Sequence, residues 1–204
     1  MRRLLALVLA MILLLLCGCT GSEEETKVEA TPSPTVAPSP TPVARLSASQ
    51  YSYNEYRNNT IRLKFLVPTH WVQRDGTNVV SFHEPVNSGE IDSMVSLAVK
   101  GFSKDVDDKK FRSECTAYMQ YLSEDLKDFS YTEFASGDTL IDRAALSTTY
   151  TATKDGVEVK GYVALISNAT RIYAFHFRSE ASRYDSLNPV MRYIRDSFEG
   201  VTIV

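Results

Sequence analysis

The sequence predicts an α+β domain in which a mostly antiparallel sheet of six or seven strands is flanked by two main helices. Three observations predict this class. Most apolar segments after residue 50 alternate with a period of two, which is typical of half-buried strands. Two other segments repeat apolar residues every three or four positions, as amphipathic helices do. The connections between strands are short and rich in turn residues, which favours antiparallel pairing.

Three strands are predicted before the first helix. Residues 61–67 alternate apolar and mostly polar side chains until Pro68 ends the strand. Residues 79–83 form a short second strand that Pro85 closes. Residues 94–102 are apolar on both faces in places, which predicts a central third strand. The tyrosines ahead of the first strand, at positions 51, 53 and 56, are interpreted as packing on the sheet or as an interaction surface.

A long helix is predicted over residues 106–127, capped by Asp105 with Asp108 three residues later. Its apolar residues recur every three or four positions: Phe111, Cys115, Met119, Leu122 and Leu126. Cys115 lies in this apolar series, and no histidine or second cysteine adjoins it. We therefore expect Cys115 to be a buried structural thiol and not a reactive one.

Four more strands and a closing helix complete the predicted domain. The strands are predicted over residues 129–135, 144–153, 157–165 and 171–178, and Asp155-Gly156 forms the hairpin turn between the middle two. The closing helix carries apolar residues at Leu187, Val190, Met191, Ile194 and Phe198. Pro189 predicts that this helix begins nearby, since proline is tolerated in the first turn. Gly200 is its stop signal.

The beginning of the chain has the pattern of an export signal. Arg2 and Arg3 precede an uncharged run of 14 residues, 4–17, which is shorter than the about 20 residues that a membrane-spanning helix needs. The run ends in Leu16-Cys17-Gly18-Cys19, which resembles a bacterial lipobox. The resemblance implies cleavage after Gly18 and acylation of Cys19. An ordinary signal peptide is the alternative, but no A-x-A-like site follows.

The sequence thus divides into a signal peptide over 1–18, a lipidated tether over 19–49 and a domain over 50–204. The tether is rich in proline, threonine, serine and glutamate, and a segment without aromatic residues cannot bury a core. We expect it to be disordered. The predicted location is the outer face of the cytoplasmic membrane, or the outer membrane if the cell has two.

Charge and cysteine content exclude several classes of function. Removing 1–18 leaves 20 basic and 25 acidic residues, a net charge of −5, which argues against nucleic acid as a partner. Cys115 would be the only unmodified cysteine in the mature chain, so no disulfide is expected.

The sequence contains no nucleophile elbow, no HExxH motif, no CxxC motif and no phosphate-binding loop. The three histidines, His70, His83 and His176, are far apart in sequence, and we predict no metal site and no cofactor. Four residues near the first two strand ends are the candidate surface-binding residues: His70, Trp71, His83 and Glu84. No catalytic residue is predicted.

Several of these motifs resemble the PsbP/Mog1-like fold family. They are Phe65-Leu66-Val67-Pro68-xx-Trp71, Phe82-xx-Pro85, the long helix, the Asp155-Gly156 hairpin and Ile194-xxx-Phe198. The family includes a photosystem II extrinsic protein, a Ran-binding nuclear-transport factor and many bacterial lipoproteins. The resemblance implies an α/β/α sandwich and a tendency to bind proteins, without shared catalytic residues. An NTF2-like cone is the alternative fold, although that fold normally opens with helices.

These observations predict a lipid-anchored, extracytoplasmic binding or assembly module without catalytic turnover. The expected partners are the membrane, through acylated Cys19, and another envelope protein or a small ligand. Two alternatives of another class stay open. One is an envelope hydrolase or isomerase that uses His70, His83 and neighbouring carboxylates. The other is a metal-binding lipoprotein that uses the histidines.

Overall fold

The computed structural model describes residues 43–200. The predicted signal peptide, Cys19 and the tether up to residue 42 lie outside the described residues. The described part contains two α-helices, α1 (Asp108–Ser123) and α2 (Ala181–Asp196), and a short 3-10 turn at Ala48–Gln50. Neither helix combines the length and the hydropathy that a span across a membrane requires.

The strands are β1 (Tyr53–Asn58), β2 (Leu63–Pro68), β3 (Val72–Asp75), β4 (Val79–His83), β5 (Met94–Gly101), β6 (Lys127–Tyr131), β7 (Ala135–Leu140), β8 (Arg143–Lys154), β9 (Val157–Asn168), β10 (Arg171–Glu180) and β11 (Glu199–Gly200). The main sheet has the order β3-β4-β5-β10-β9-β8-β6, and β7 pairs with β8. A smaller sheet has the order β1-β2-β11. Neighbouring strands pair antiparallel throughout.

The main sheet buries a core on each face, as a period of two predicts for a covered sheet. On one face, Cys115 and Met119 of α1 pack against side chains such as Val163 and Leu165 of β9. On the other face, α2 and the small sheet pack against residues such as Phe175 and Phe177 of β10. The predicted α+β class is therefore confirmed, and the sheet is open between its edge strands β3 and β6.

The main sheet has eight strands, more than the predicted six or seven. The sequence did not predict β3, because all four of its residues are exposed and no apolar face marks it. It also did not predict β1 of the smaller sheet, where no residue is buried and half-buried and exposed positions do not alternate regularly. The predicted strand 129–135 is divided between β6 and β7.

Helix α1 begins and ends inside its predicted bounds. Asp107, and not Asp105, is its N-cap, and its side chain accepts a hydrogen bond from the backbone nitrogen of Lys110 at 2.7 Å. The helix ends at Ser123 instead of Lys127, because Lys127 pairs with Thr153 of β8. Cys115 is fully buried, as predicted, and burial raises the pKa of its thiol to about 12.

Helix α2 contains Pro189 in its interior, so the prediction that the helix begins near this proline is wrong. Pro189 has no N–H to donate to the carbonyl of Asp185, one turn earlier. Both residues are exposed, so water can satisfy that carbonyl. The helix therefore continues through the proline and buries Leu187, Val190 and Ile194.

Candidate functional site

A pocket of about 380 Å³ lies beside β3 and β4, at one end of the main sheet. Val72 and Arg74 of β3 and His83 at the end of β4 form one wall. Glu90 and Asp92, from the loop that leads into β5, form another. The hairpin turn after β8 adds Lys154 and Asp155, so the pocket is lined by charges of both signs.

His83 stands in a chain of hydrogen bonds at this pocket. Its Nδ1 lies 2.5 Å from Oδ2 of Asp92, and its Nε2 lies 2.9 Å from Oγ of Ser81. Ser81 and His83 are two residues apart on β4, so their side chains project from the same face of the strand. Asp92 also accepts a hydrogen bond from Nη2 of Arg178 at 2.9 Å.

The neighbours of Asp92 in this hydrogen-bonded series keep its carboxyl group ionised at neutral pH. Burial raises the pKa of the Asp92 carboxyl, but the hydrogen bond to His83 and the charge of Arg178 outweigh burial and lower the pKa below its usual value. An ionised Asp92 accepts a hydrogen bond from Nδ1–H of His83, which leaves Nε2 able to accept a hydrogen bond from the Ser81 hydroxyl. The Ser81 hydroxyl also lies 3.3 Å from the carbonyl oxygen of Arg74, which is its second acceptor. A serine, a histidine and a carboxylate that are hydrogen-bonded in this order can act as nucleophile, base and orienting group.

Glu84 is buried, although the sequence predicted a surface-binding residue. It follows His83 and projects to the opposite face, where Arg183 of α2 donates hydrogen bonds at 2.5 and 3.0 Å to its two oxygens. The hydroxyl of Tyr51 donates to Glu84 as well, at 3.0 Å. Burial raises the pKa of Glu84, but these partners outweigh burial and lower it. Glu84 also lines the pocket, but its side chain is buried and its two oxygens are engaged by Arg183 and Tyr51, so it joins β4 to α2.

Trp71 is also buried, which contradicts its prediction as a surface residue. Its ring packs edge-on against Tyr51, with the centroids 6.2 Å apart. His70 is half-buried, and its ring also packs against Tyr51, at a centroid distance of 5.0 Å. Burial lowers the pKa of His70. Neither Nε2 of His70 nor Nε1 of Trp71 has a hydrogen-bond partner in the described part of the chain.

Each of the three histidines contacts a different partner. His70 contacts Tyr51, His83 contacts Asp92, and His176 is buried beside the hydroxyl of Tyr150 at 2.7 Å. Burial lowers the pKa of His176 to about 3, so it is neutral at physiological pH. Within residues 43–200, no three histidine, cysteine or carboxylate side chains are grouped closely enough to hold a metal ion.

The pocket adjoins the first described residues of the chain. Arg45 donates to Oε1 of Glu180 and to the carbonyl of Ile91, each at 2.9 Å. The backbone nitrogen of Val43 donates to Oδ1 of Asn87 at 2.8 Å. Residues 43–49 were assigned by sequence to the disordered tether, whereas here they bind to the domain. The charge of Arg45 is the physical reason, since it lies between Glu90 and Glu180.

Of the four sequence candidates, the structure places only His83 on the pocket with an available side chain. Ser81, Asp92 and Arg178 are the functional candidates that the sequence analysis missed. The pattern Ser81-x-His83 was a local signal, since alternate residues of a strand share a face. Asp92 and Arg178 come from other elements and carry no local signal.

Comparisons with known proteins agree with this architecture. No protein-family model and no curated protein sequence matches the chain. A solved structure of cyanobacterial PsbP (CyanoP) from Synechocystis sp. PCC 6803 is similar, with a TM-score of 0.54 and 15% identity over 80% of this chain and 98% of that one. LpqN from Mycobacterium tuberculosis, described as involved in cell envelope biogenesis, has a TM-score of 0.51 and 13% identity over 75% and 92% of the two chains.

Identities this low relate folds and leave ligands and activities open. The open antiparallel sheet and the two helices of this chain are in keeping with the fold that the sequence motifs around Pro68, Trp71 and Asp155-Gly156 indicated. The described domain therefore has the PsbP/Mog1-like fold.

Proposed function

We propose that this chain is a lipid-anchored, extracytoplasmic binding module that recognises an extended segment of another envelope protein and performs no turnover. The export pattern before Cys19 supports the location. The fold shared with LpqN, a protein described as involved in cell envelope biogenesis, is in keeping with it.

One observation carries the binding proposal: the pocket lies directly beside the edge strand β3. Within residues 43–200 no strand pairs with the outer side of β3, and Val72 is 53% exposed there. An extended peptide can add to such an edge through backbone hydrogen bonds. Alternate side chains of that peptide would then lie beside Val72 and Arg74 and enter the pocket.

The chemistry of the pocket describes the segment that fits it. Asp92 pairs with Arg178, Glu90 with Arg45 and Glu84 with Arg183, which leaves Arg74 and the Lys154–Asp155 pair as the remaining charges of the pocket. A segment with one apolar residue against Val72, flanked by polar residues of both signs, matches this surface. The short, polar β3 discourages pairing with other copies of the chain.

Site-specific photo-crosslinking tests the proposal in cells that produce the full chain. A photoreactive residue at Val72 should give a discrete adduct with one envelope protein. The same residue at Tyr121 is the matched control, since Tyr121 is 64% exposed on α1 and lies outside the pocket. Equal adducts from both positions, or none from Val72, would contradict binding at β3.

A second candidate function is ester hydrolysis, and the Ser81–His83–Asp92 chain is the observation that favours it. In this reaction Oγ of Ser81 attacks the ester carbonyl carbon while Nε2 of His83 takes the hydroxyl proton. The leaving alkoxide takes that proton, and an acyl group stays on Ser81. Water then attacks with the same proton transfers, which releases the acid and restores Ser81.

A fluorophosphonate probe distinguishes this candidate from pure binding. An activated Ser81 should be labelled in the native chain, and Ser81→Ala should abolish the labelling. Ser130→Ala is the matched control, because Ser130 is exposed on β6 and outside the pocket. If the native chain is not labelled at Ser81, the hydrogen-bonded chain has a structural role and hydrolysis is excluded.

A further inference from the structure

A second pocket, of about 300 Å³, lies at the opposite end of the main sheet. The first pocket adjoins the end of β10 near Arg178, whereas Arg171, the first residue of β10, lines the second. The buried side chains of Leu63, Ile166 and Tyr173 contribute apolar surface to it. We call it the arginine pocket, because Arg62, Arg143 and Arg171 also line it.

The three arginines come from three separate turns. Arg62 is in the turn between β1 and β2, Arg143 begins β8, and Arg171 begins β10. Each turn contains a residue in the left-handed region: Arg62 itself at φ 58°, Ile141 at φ 52° and Ala169 at φ 49°. None of these residues is glycine, so each turn is an uncommon backbone conformation. The convergence of the arginines is thus set by the fold and not by one local motif.

The charge of the arginine pocket is uncompensated in the described part of the chain. No acidic residue lines it. Among residues 43–200, Arg62, Arg143 and Arg171 enter no ion pair and no side-chain hydrogen bond. By contrast, Arg45, Arg178, Arg183 and Arg195 are each paired with a carboxylate. Three positive charges around one cavity repel each other, in a chain whose formal net charge is −3.

We infer that the arginine pocket binds a small anionic ligand whose phosphate or carboxylate lies among the three arginines and whose apolar part contacts Leu63, Ile166 and Tyr173. Guanidinium groups match the planar or tetrahedral oxygens of such anions by paired hydrogen bonds. The apolar floor favours an amphiphile over a simple inorganic ion. This site is separate from the peptide-binding surface at β3, and neither proposal depends on the other.

Calorimetric titration of the full chain in nanodiscs of zwitterionic phosphatidylcholine tests the inference. The probes are hexyl phosphate and inorganic phosphate, with empty nanodiscs as the blank. Hexyl phosphate should bind saturably with one site per chain, and at least tenfold more tightly than inorganic phosphate, because the hexyl chain leaves water. Equal affinity for the two probes would overturn the amphiphile assignment, and no saturable binding of either would overturn the site.

Two matched double variants place the binding in the structure. Arg143→Gln with Arg171→Gln should weaken hexyl phosphate binding by about tenfold or more per arginine. Arg57→Gln with Arg192→Gln removes the same charge from exposed arginines outside both pockets and should leave the affinity unchanged. Equal loss in both pairs would overturn the site in favour of general electrostatic attraction. Circular dichroism confirms that each variant is folded.

A competition experiment distinguishes a lipid headgroup from a soluble amphiphile as the source of the anion. Nanodiscs that contain anionic phosphatidylglycerol should weaken hexyl phosphate binding at least tenfold if the ligand is a lipid headgroup. Unchanged affinity in those nanodiscs assigns the arginine pocket to a soluble anionic amphiphile. Either result is interpreted only for binding that is present in the wild type and lost in the Arg143→Gln, Arg171→Gln double variant.

Discussion

Arg183, which is half-buried, and Glu84, which is buried, form an ion pair between positions 99 residues apart in the chain. The guanidinium donates to both carboxylate oxygens, at 2.5 and 3.0 Å, from the first turn of α2 to the residue after β4. Arg183 also donates to the carbonyl of Leu46 at 3.3 Å. The pair therefore joins the C-terminal helix, the main sheet and the chain that leads into the domain.

Replacing Glu84 by alanine should lower the free energy of unfolding by about 3 kcal/mol, because it leaves Arg183, whose side chain is only 15% exposed, without a carboxylate partner. Urea denaturation followed by circular dichroism measures this loss. Glu124→Ala is the control, because Glu124 is exposed after α1 and should change stability by less than about 0.5 kcal/mol. Similar values for the two variants would show that the ion pair does not stabilise the domain.

The contribution of ionised Glu84 to stability should also appear in the pH dependence of unfolding. Since the pKa of Glu84 is lowered in the folded domain, the folded state binds this proton less readily than the unfolded chain. Its contribution is fully present above the unfolded pKa of 4.5 and is lost as the pH falls through the folded pKa. Melting curves of wild type and Glu84→Gln from pH 7 to 3 check this. The variant should depend less steeply on pH below 4.5, and parallel profiles would contradict the assignment.

Arg45→Gln should destabilise the domain by about 1.5–3 kcal/mol, because it removes charged hydrogen bonds to Glu180 and to the Ile91 carbonyl. The measurement is again chemical denaturation. Arg57→Gln is the matched control on an exposed arginine. A harmless Arg45→Gln would mean that residues 43–49 belong functionally to the tether, as the sequence alone suggested.

The thiol of Cys115 should resist iodoacetamide until denaturant is added, because it is fully buried and its pKa is raised to about 12. Cys115→Ala should cost about 1 kcal/mol, as a small cavity does. Cys115→Asp should leave the domain largely unfolded, since a buried carboxylate loses its hydration. Mass spectrometry locates the label. Thr116→Cys supplies an exposed thiol on the same helix, which should react at once.

Cys19→Ala should release the protein from membranes without unfolding the domain, because the predicted acyl chains provide the anchor. Fractionation of cells and immunodetection of the pellet measure the release. Cys17→Ala should stay in the membrane pellet, since Cys17 is predicted to leave with the signal peptide. A Cys19→Ala protein that remains in the pellet would exclude the lipoprotein hypothesis.

The sequence by itself determined the features that local rules control. The alternation of apolar residues predicted the central strands, and Asp155-Gly156 formed the expected hairpin with positive φ at both positions. The helical repeat placed Cys115 in the core. These features depend on neighbours within a few residues, so the local sequence is sufficient to predict them.

Only the tertiary structure decided how the polar residues are used. Glu84 and Trp71 have no local feature that distinguishes a buried position from an exposed one, and their burial depends on Tyr51 and Arg183. The contact of His83 with Asp92, and the meeting of three arginines at one pocket, join residues that distant elements bring together. A strand repeat specifies which face a side chain occupies. It does not specify which residues of other elements share that face, because strand order, register and helix packing fix that choice.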